Sequence, residues 1–345
     1  MRPTVRAIDV GYSWTKYVVD GDSAHRVRCR AFPSIAPRAS GRELAVDGIR
    51  QRQTVQVPVD DLVFEIGPDA PLVQETYQAI PLDDGYAETP EYLALVRGAL
   101  RLMHVAHVDL LAVGLPVALY RQRRQALEAR LSGAHPVGQG ATVTVEAVKV
   151  FAQPVGALLA ASVGNEALRH LQAARTLIVD AGWRTFDWVV TSGTKIHDTR
   201  SDSVARSMFD VVDAVGRAAS RDLGTQLGAF DYTRIDEALR RKEPVRIFGN
   251  PLSLEPYLPL GQRIADEAVT AMKRLVQDGT DIDAIVLAGG GAFFFGEAIA
   301  RAYPKHGVIT LPEAFYANCR GFQLAGLHLV EQERRRALAA RVSVT

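Results

Sequence analysis

The chain is poor in cysteine: it has two in 345 residues, Cys29 and Cys319. Two thiols make neither a metal site by themselves nor a disulfide framework, so they read as reduced thiols of a cytosolic protein. An excess of charge of one sign is also missing. Forty basic residues against thirty-nine acidic ones leave a formal net charge of +1, so nothing global argues for affinity to nucleic acid or to a membrane surface. Hydrophobic runs are short. The longest, Leu110 to Tyr120, is interrupted by Pro116 and falls far below the length that spans a bilayer. Met1-Arg2-Pro3-Thr4 runs into a strand with no cleavable apolar region, so no secretory signal is expected and the protein is expected in the cytoplasm. No repeat of about 20–50 residues is visible, which excludes solenoids. The histidines show no HxxxH or His/Cys spacing, and Ser162, Ser192 and Ser253 lie in no G-x-S-x-G elbow. Arg121, Arg123, Arg124 and Arg130 share one predicted helix and read as a solvated face.

What remains is the composition of a globular protein, 48% hydrophobic and 23% charged, long enough for about two domains. Three short segments stand out. They are Asp9-Val10-Gly11-Tyr12-Ser13-Trp14-Thr15-Lys16, then Asp180-Ala181-Gly182-Trp183-Arg184-Thr185-Phe186-Asp187, then Gly289-Gly290-Gly291-Ala292. The first two share a pattern: an apolar strand, an Asp at its end, a Gly two residues on, then a Thr and a second apolar strand. Each reads as a β-hairpin whose turn presents a carboxylate and backbone N–H groups. Its recurrence suggests two similar halves facing one ligand.

The surrounding pattern is that of layered α/β domains. Strands are predicted at 5–10, 15–20, 25–33, 43–47, 53–57 and 61–67, followed by an irregular stretch from Gly67 to Pro90. A helix starts at Pro90 behind a Thr89 cap. Then come a strand at 108–113, a helix at 119–132, a strand at 142–151 and an Ala-rich helix opened by Pro154. In the second half, strands are predicted at 175–180, 185–191, 283–288 and 307–310. Helices are predicted at 203–223, 232–242, 260–278 and 295–303, with a last long one from near Pro312. Strand, crossover helix, strand implies parallel pairing.

A nucleoside triphosphate bound with Mg²⁺ needs N–H donors for phosphate oxygens, a cation, and carboxylates that order the metal's waters. The first hairpin offers Asp9 for Mg²⁺ through water, N–H groups of Gly11, Tyr12, Ser13 and Trp14 as an anion nest, and Lys16 as the cation. The second offers Asp180 as the matching carboxylate, Gly182, Trp183, Arg184 and Thr185 as the matching nest, and Asp187 on the same strand face as Thr185. Gly289, Gly290, Gly291 and Ala292, between a strand and a helix, let a base and ribose lie on the backbone. No Lys-Ser/Thr pair follows these glycines, so the turn is not a Walker A loop. Gln153 is the candidate that orients the attacking water. Each segment alone is also compatible with an ordinary turn, and Phe293-Phe294-Phe295 with either base stacking or core packing.

On these residues the chain resembles the actin-like ATPase superfamily, and within it the ParM/StbA-type plasmid-segregation actins, including the StbA-like protein D family of a conserved plasmid gene cassette. The first hairpin looks like the phosphate-1 loop, the second like phosphate-2, and Gly289 to Ala292 like the adenosine motif. Val148 to Ala161 with Gln153, and Ala317 to Gly326 with Asn318 and Gly321, resemble the two connecting helices. Phe32-Pro33-Ser34 and Val113-Gly114-Leu115-Pro116 with Tyr120 resemble further segments of the ParM type. Tyr12 departs from the usual phosphate-binding Ser, and Trp183 and Arg184 are bulkier than the usual phosphate-2 residues. The resemblance implies an α/β fold of the actin-like ATPase type, two duplicated ribonuclease-H-like domains flanking a nucleotide cleft. Domain I would take 1–174, with a small β-rich subdomain at about 30–90, completed by 313–345; domain II would take 175–312. It implies ATP (or GTP) and Mg²⁺ as cofactors, catalytic roles for Gln153, Asp180 and Asp9, self-association into filaments, and a DNA-binding adaptor protein rather than direct nucleic-acid or membrane contact. A sugar-type kinase with Asp187 as base, and a non-polymerising nucleotide switch, stand as alternatives.

Overall fold

Every residue from Val5 to Val10 is buried, Asp9 included, as a strand covered on both faces by helices requires. The computed structural model describes residues 3–21, 27–39, 51–73, 85–164, 166–193 and 195–342; the strand expected at 43–47 lies outside them. The chain divides into two units, Met1–Arg169 with Tyr316–Thr345, and His170–Phe315.

The first unit opens with β1 (Val5–Val10), β2 (Trp14–Asp20) and β3 (Arg28–Pro33). A separate hairpin follows, β4 (Val55–Val59) and β5 (Leu62–Ile66), then α1 (Pro90–Leu102), β6 (His107–Leu115), α2 (Val117–Leu131), β7 (Gly133–Gly138), β8 (Ala141–Ala152) and α3 (Gln153–Gly164). Its sheet runs β3-β2-β1-β6-β8-β7. The hairpin strands β1 and β2 are antiparallel, whereas β1, β6 and β8 are parallel. Thr89 caps α1 by accepting the Tyr92 N–H at 3.1 Å, with Pro90 in the first turn, which stabilises a helix start by roughly 1 kcal/mol.

The second unit repeats the scheme. It contains β9 (Arg175–Ala181), β10 (Phe186–Ser192), β11 (Lys195–Ile196), β12 (Asp202–Val204), α4 (Met208–Leu223), α5 (Ala229–Arg241), the hairpin β13 (Val245–Ile247) and β14 (Asn250–Leu252), α6 (Leu258–Val276), β15 (Ala284–Ala288), α7 (Ala292–Ala302) and β16 (Val308–Thr310). Sheet order is β11-β10-β9-β15-β16, with β12 also on β10. Again the hairpin pair is antiparallel and the two later strands run parallel to its first strand. Trp188, Phe186, Phe295 and Tyr303 are the bulkiest fully buried side chains of its core.

The last helix, α8 (Ala317–Val342), belongs to the first unit and packs on β1 and α3. Its crossing with α3 is backbone on backbone: a Cβ at Gly321 would overlap the Gly156 carbonyl, and one at Gly156 would come within 2.7 Å of the Asn318 carbonyl. Among the described residues, no helix is long and apolar enough to cross a membrane.

Some boundaries differ from the sequence expectation. The helix expected from 203 begins at Met208, because Ser207 and Asp210 form a capping box and residues 202–204 pair with β10 instead. The last helix begins at Ala317 rather than near Pro312, and α7 at Ala292 rather than 295. Strands β7 and β13–β14 were not among the expected elements. The sheet tolerates a proline in β7 because that strand lies at its edge.

Candidate functional site

In the first unit, cross-strand pairing sets Asp9 on β1 opposite Lys16 on β2. Lys16 Nζ donates to Asp9 Oδ2 at 3.1 Å, and Gln153 Nε2 donates to Asp9 Oδ1 at 3.0 Å. The carboxylate is 2% exposed, so both of its oxygens are answered inside the protein, as a buried charge demands. Gln153 reaches it because α3 starts directly at the C-terminal end of β8, two strands over from β1. Gly114 at the end of β6 leaves the room, since a Cβ there would meet the Phe322 ring and Gln153 Cγ.

The turn after Asp9 is closed by the Gly11 N–H, which donates to the Trp14 carbonyl at 3.1 Å. Ser34, just after β3, holds it from behind. Its N–H donates to the Ser13 carbonyl at 2.8 Å, its hydroxyl donates to the Gly11 carbonyl at 2.6 Å, and it lies 2.9 Å from Thr15 Oγ1. The Tyr12 ring stacks on Tyr86 with centroids 4.7 Å apart, and Tyr86 meets Tyr92 of α1 edge-on at 5.5 Å. Burial, with the Asp9 carboxylate as the next cause, pushes the Tyr92 hydroxyl far above its ordinary value. Burial does the same to Tyr86, with Tyr92 as its next cause.

The second unit builds the same turn. The Gly182 N–H donates to the Thr185 carbonyl at 2.9 Å, the same Gly-to-third-residue closure as Gly11 to Trp14. Asp180 on β9 faces Asp187 on β10 and Ala288 on β15, with both carboxyl residues buried. The Thr185 hydroxyl donates to Asp187 Oδ2. The hydroxyl thus has a partner inside its own hairpin, and one Asp187 oxygen accepts from it. Trp183 turns toward α4, its ring edge-on to Phe209 at 5.9 Å and its carbonyl accepting the Phe209 N–H. Arg184 is in the turn beside it.

The glycine turn joins this hairpin directly. Gly289 has φ +87°, and a Cβ there would strike Asp180 Oδ1 and the Ala181 carbonyl, a conformation and a contact that only glycine allows. The Gly291 N–H donates to the Ala181 carbonyl at 2.7 Å. Gly290 and Ala292 complete the step into α7. Of the Phe run, Phe295 is core, Phe294 packs against it, and Phe293 is 36% exposed.

Sequence reasoning missed Asp236 and Arg240 on α5. Arg240 donates to both Asp236 oxygens at 2.8 and 3.1 Å and to the Gly290 carbonyl, and its guanidinium lies 5.0 Å above the Phe293 ring. Burial pushes the Asp236 carboxyl up and the Arg240 charge pulls it partly back. The i,i+4 Asp–Arg spacing is visible in the sequence, but only the fold shows that it grips the glycine turn.

Mg²⁺ takes hard oxygen ligands and keeps much of its water, and Asp9 and Asp180 present carboxylates at the ends of β1 and β9. Lys16 adds a cation, a Cβ at Gly182 or Gly289 would collide with its own turn, and one at Gly11 would crowd the Trp14 carbonyl at 3.1 Å.

A family model described as the actin-like proteins N-terminal domain matches residues 7–156, and one described as the archaeal actin homologue MreB-like C-terminal region matches 178–301. A search of curated proteins finds no match. Solved structures share the fold at low identity. An archaeal actin homologue in complex with ADP is 18% identical, with a TM-score of 0.72, covering 93% of this chain and 98% of its own. A 15-stranded ParM filament from Clostridium botulinum is 18% identical, with a TM-score of 0.73 and coverage of 94% and 99%. Bacillus thuringiensis ParM with AMPPNP is 15% identical, with a TM-score of 0.63 and coverage of 96% and 100%.

Proposed function

The chain belongs to the actin-like proteins, matched by actin-like family models over both of its units, and from that premise we propose that it is a nucleotide-dependent filament protein: an ATPase that assembles head to tail and serves plasmid or DNA segregation. The observation that carries this is Asp9, buried and held on one oxygen by Lys16 and on the other by Gln153. A carboxylate, a cation and a water-orienting amide converging at one strand end are what phosphoryl transfer to water requires. Asp180 under the Gly289 turn is the counterpart in the second unit. Gly11 to Trp14 in the first unit and Gly182 to Thr185 in the second would supply the phosphate turns, and Gly289 to Ala292 would take the nucleoside; Asp9 and Asp180 would each offer a carboxylate to the waters of Mg²⁺, whose charge would offset that of the phosphates.

The filament reading draws support from the likeness to a solved ParM filament. Polymers of this kind need a heterologous interface that does not close. A DNA-binding adaptor would link filament to cargo, since the chain's near-neutral charge gives it no electrostatic basis for gripping DNA itself. The test is sedimentation with and without ATP and Mg²⁺, beside phosphate release, with GTP run in parallel. Nucleotide-dependent pelleting above a critical concentration with phosphate release supports the proposal. Binding and turnover without pelleting at any concentration sinks the filament part, and no nucleotide binding sinks all of it.

A further inference from the structure

The only two cysteines of the chain come together in the fold. Cys29 lies on β3, the edge strand of the first unit's sheet, paired across to Val18. Cys319 lies in the first turns of α8. Strand alternation leaves Arg28 and Arg30 exposed while Cys29 turns inward. There it packs against a small cluster of Ala7, Val18, Ala112, Cys319 and Phe322. The two thiols thus meet in one packed cluster, and burial first, then the neighbouring Cys29 thiol, pushes the Cys319 thiol up. Cys319 is fully buried, with its sulfur 3.8 Å from the Ala7 carbonyl, while Cys29 is half-buried. Cys29 is the more exposed residue of the pair and Cys319 is enclosed.

We propose that Cys29 and Cys319 form a paired thiol site that a small-molecule disulfide oxidises to an intrachain bridge between β3 and α8. The more exposed Cys29 thiolate attacks one sulfur of the reagent RSSR. A protein–SR mixed disulfide forms and RS⁻ leaves, taking a proton from solvent. Cys319 then gives up its proton, its thiolate attacks Cys29 Sγ, and a second RS⁻ departs with that proton. The balance is two protein thiols and one RSSR converted to one protein disulfide and two RSH. The thiolate is the reacting species in both steps, so burial of Cys319 makes the second step the slower one. The bridge would pin the edge strand whose continuation, Ser34, holds the Asp9 turn. It would also close a loop over nearly the whole chain, which restricts the unfolded state strongly. None of this depends on nucleotide binding.

The experiment is incubation of the folded, reduced protein with glutathione disulfide, read by intact mass, thiol titration after denaturation, and non-reducing peptide mapping. The expected result is loss of both thiols, a mass lower by two hydrogens, one cross-linked peptide pair containing Cys29 and Cys319, and a raised thermal midpoint that dithiothreitol reverses. Cys319→Ser is expected to stop at a glutathione adduct on Cys29, and Cys29→Ser to leave Cys319 unmodified while folded. A wild-type protein that stops at the Cys29 adduct, forms only intermolecular disulfides, or retains both thiols overturns the proposal. Circular dichroism of each variant separates these outcomes from misfolding.

Discussion

Gln153 donates to Asp9 across 144 residues of sequence, at 3.0 Å, where the end of β8 meets the start of α3. An amide fixed on a carboxylate by one N–H keeps its oxygen and second N–H for a water molecule. Replacing Gln153 with Ala should lower turnover about 10²-fold, the scale of a misplaced reacting group, while nucleotide affinity changes little because Asp9 keeps Lys16. Single-turnover phosphate release beside equilibrium binding separates the two. Equal losses in both would make Gln153 a binding residue rather than a water-orienting one.

Asp180 lies directly beneath Gly289 and opposite Asp187. Asp180→Ala removes the carboxylate proposed to order Mg²⁺ in the second unit, and Mg²⁺-dependent nucleotide affinity should fall at least about tenfold, or about 1.4 kcal/mol. Titration of a fluorescent ATP analogue with and without Mg²⁺ checks this. Affinity equal to wild type in both conditions removes Asp180 from the site.

Ser34→Ala deletes the hydroxyl that bonds the Gly11 carbonyl and faces Thr15 Oγ1. Leaving such buried partners unsatisfied costs roughly 1–3 kcal/mol, so urea unfolding should shift to lower denaturant. Nucleotide affinity should drop with it, since the turn loses its brace. A destabilised variant with wild-type affinity would show that Ser34 serves the fold alone.

Legibility followed the range of the interactions. The two hairpins could be read because Asp, Gly and Thr stand at fixed offsets within period-2 strands, and each closes locally through its own glycine N–H. The glycine turn was equally visible, because Gly289 needs its positive φ whatever packs around it. Ser34 on the Gly11 turn, the Tyr12–Tyr86–Tyr92 stack and Arg240 on Gly290 were invisible in those roles. Each joins residues far apart in sequence whose types suit many settings. The thiol pair escaped for the same reason: a count of two cysteines carries no information about their distance.

Asp281 receives Arg200 and Arg175 at 2.7 Å each, and these hydrogen bonds, Arg200 first, hold its carboxyl well below the ordinary value of 3.8. A carboxyl with a depressed folded-state pKa binds its proton less readily folded than unfolded. Its stabilisation is therefore full above the unfolded value and drains away as pH falls below it. The group is 38% exposed, so solvent screening limits the contribution to a few tenths to about 1 kcal/mol. Asp281→Asn should be less stable than wild type by that amount at pH 7, and the gap should close as pH falls below about 4. Urea melts across that range decide it; a gap independent of pH would assign the loss to packing.

The α3–α8 crossing makes the sharpest claim about stability. At Gly321 an added Cβ would overlap the Gly156 carbonyl, and both partners are helix backbone that cannot turn aside as a flexible side chain would. Gly321→Ala therefore has to push the helices apart, which strains the packing of Phe322 on Phe151, now stacked at 5.8 Å. Overpacking costs about 1–3 kcal/mol where a core can adjust, and this site should lie at or above the top of that range. Gly307→Ala is the control: nothing lies within 4 Å of its added Cβ and its φ is not positive, so it should stay within about 0.5 kcal/mol of wild type. Thermal and urea unfolding of the two variants side by side test the contrast. Equal stability of Gly321→Ala and Gly307→Ala would mean that the two helices do not approach as closely as this crossing requires.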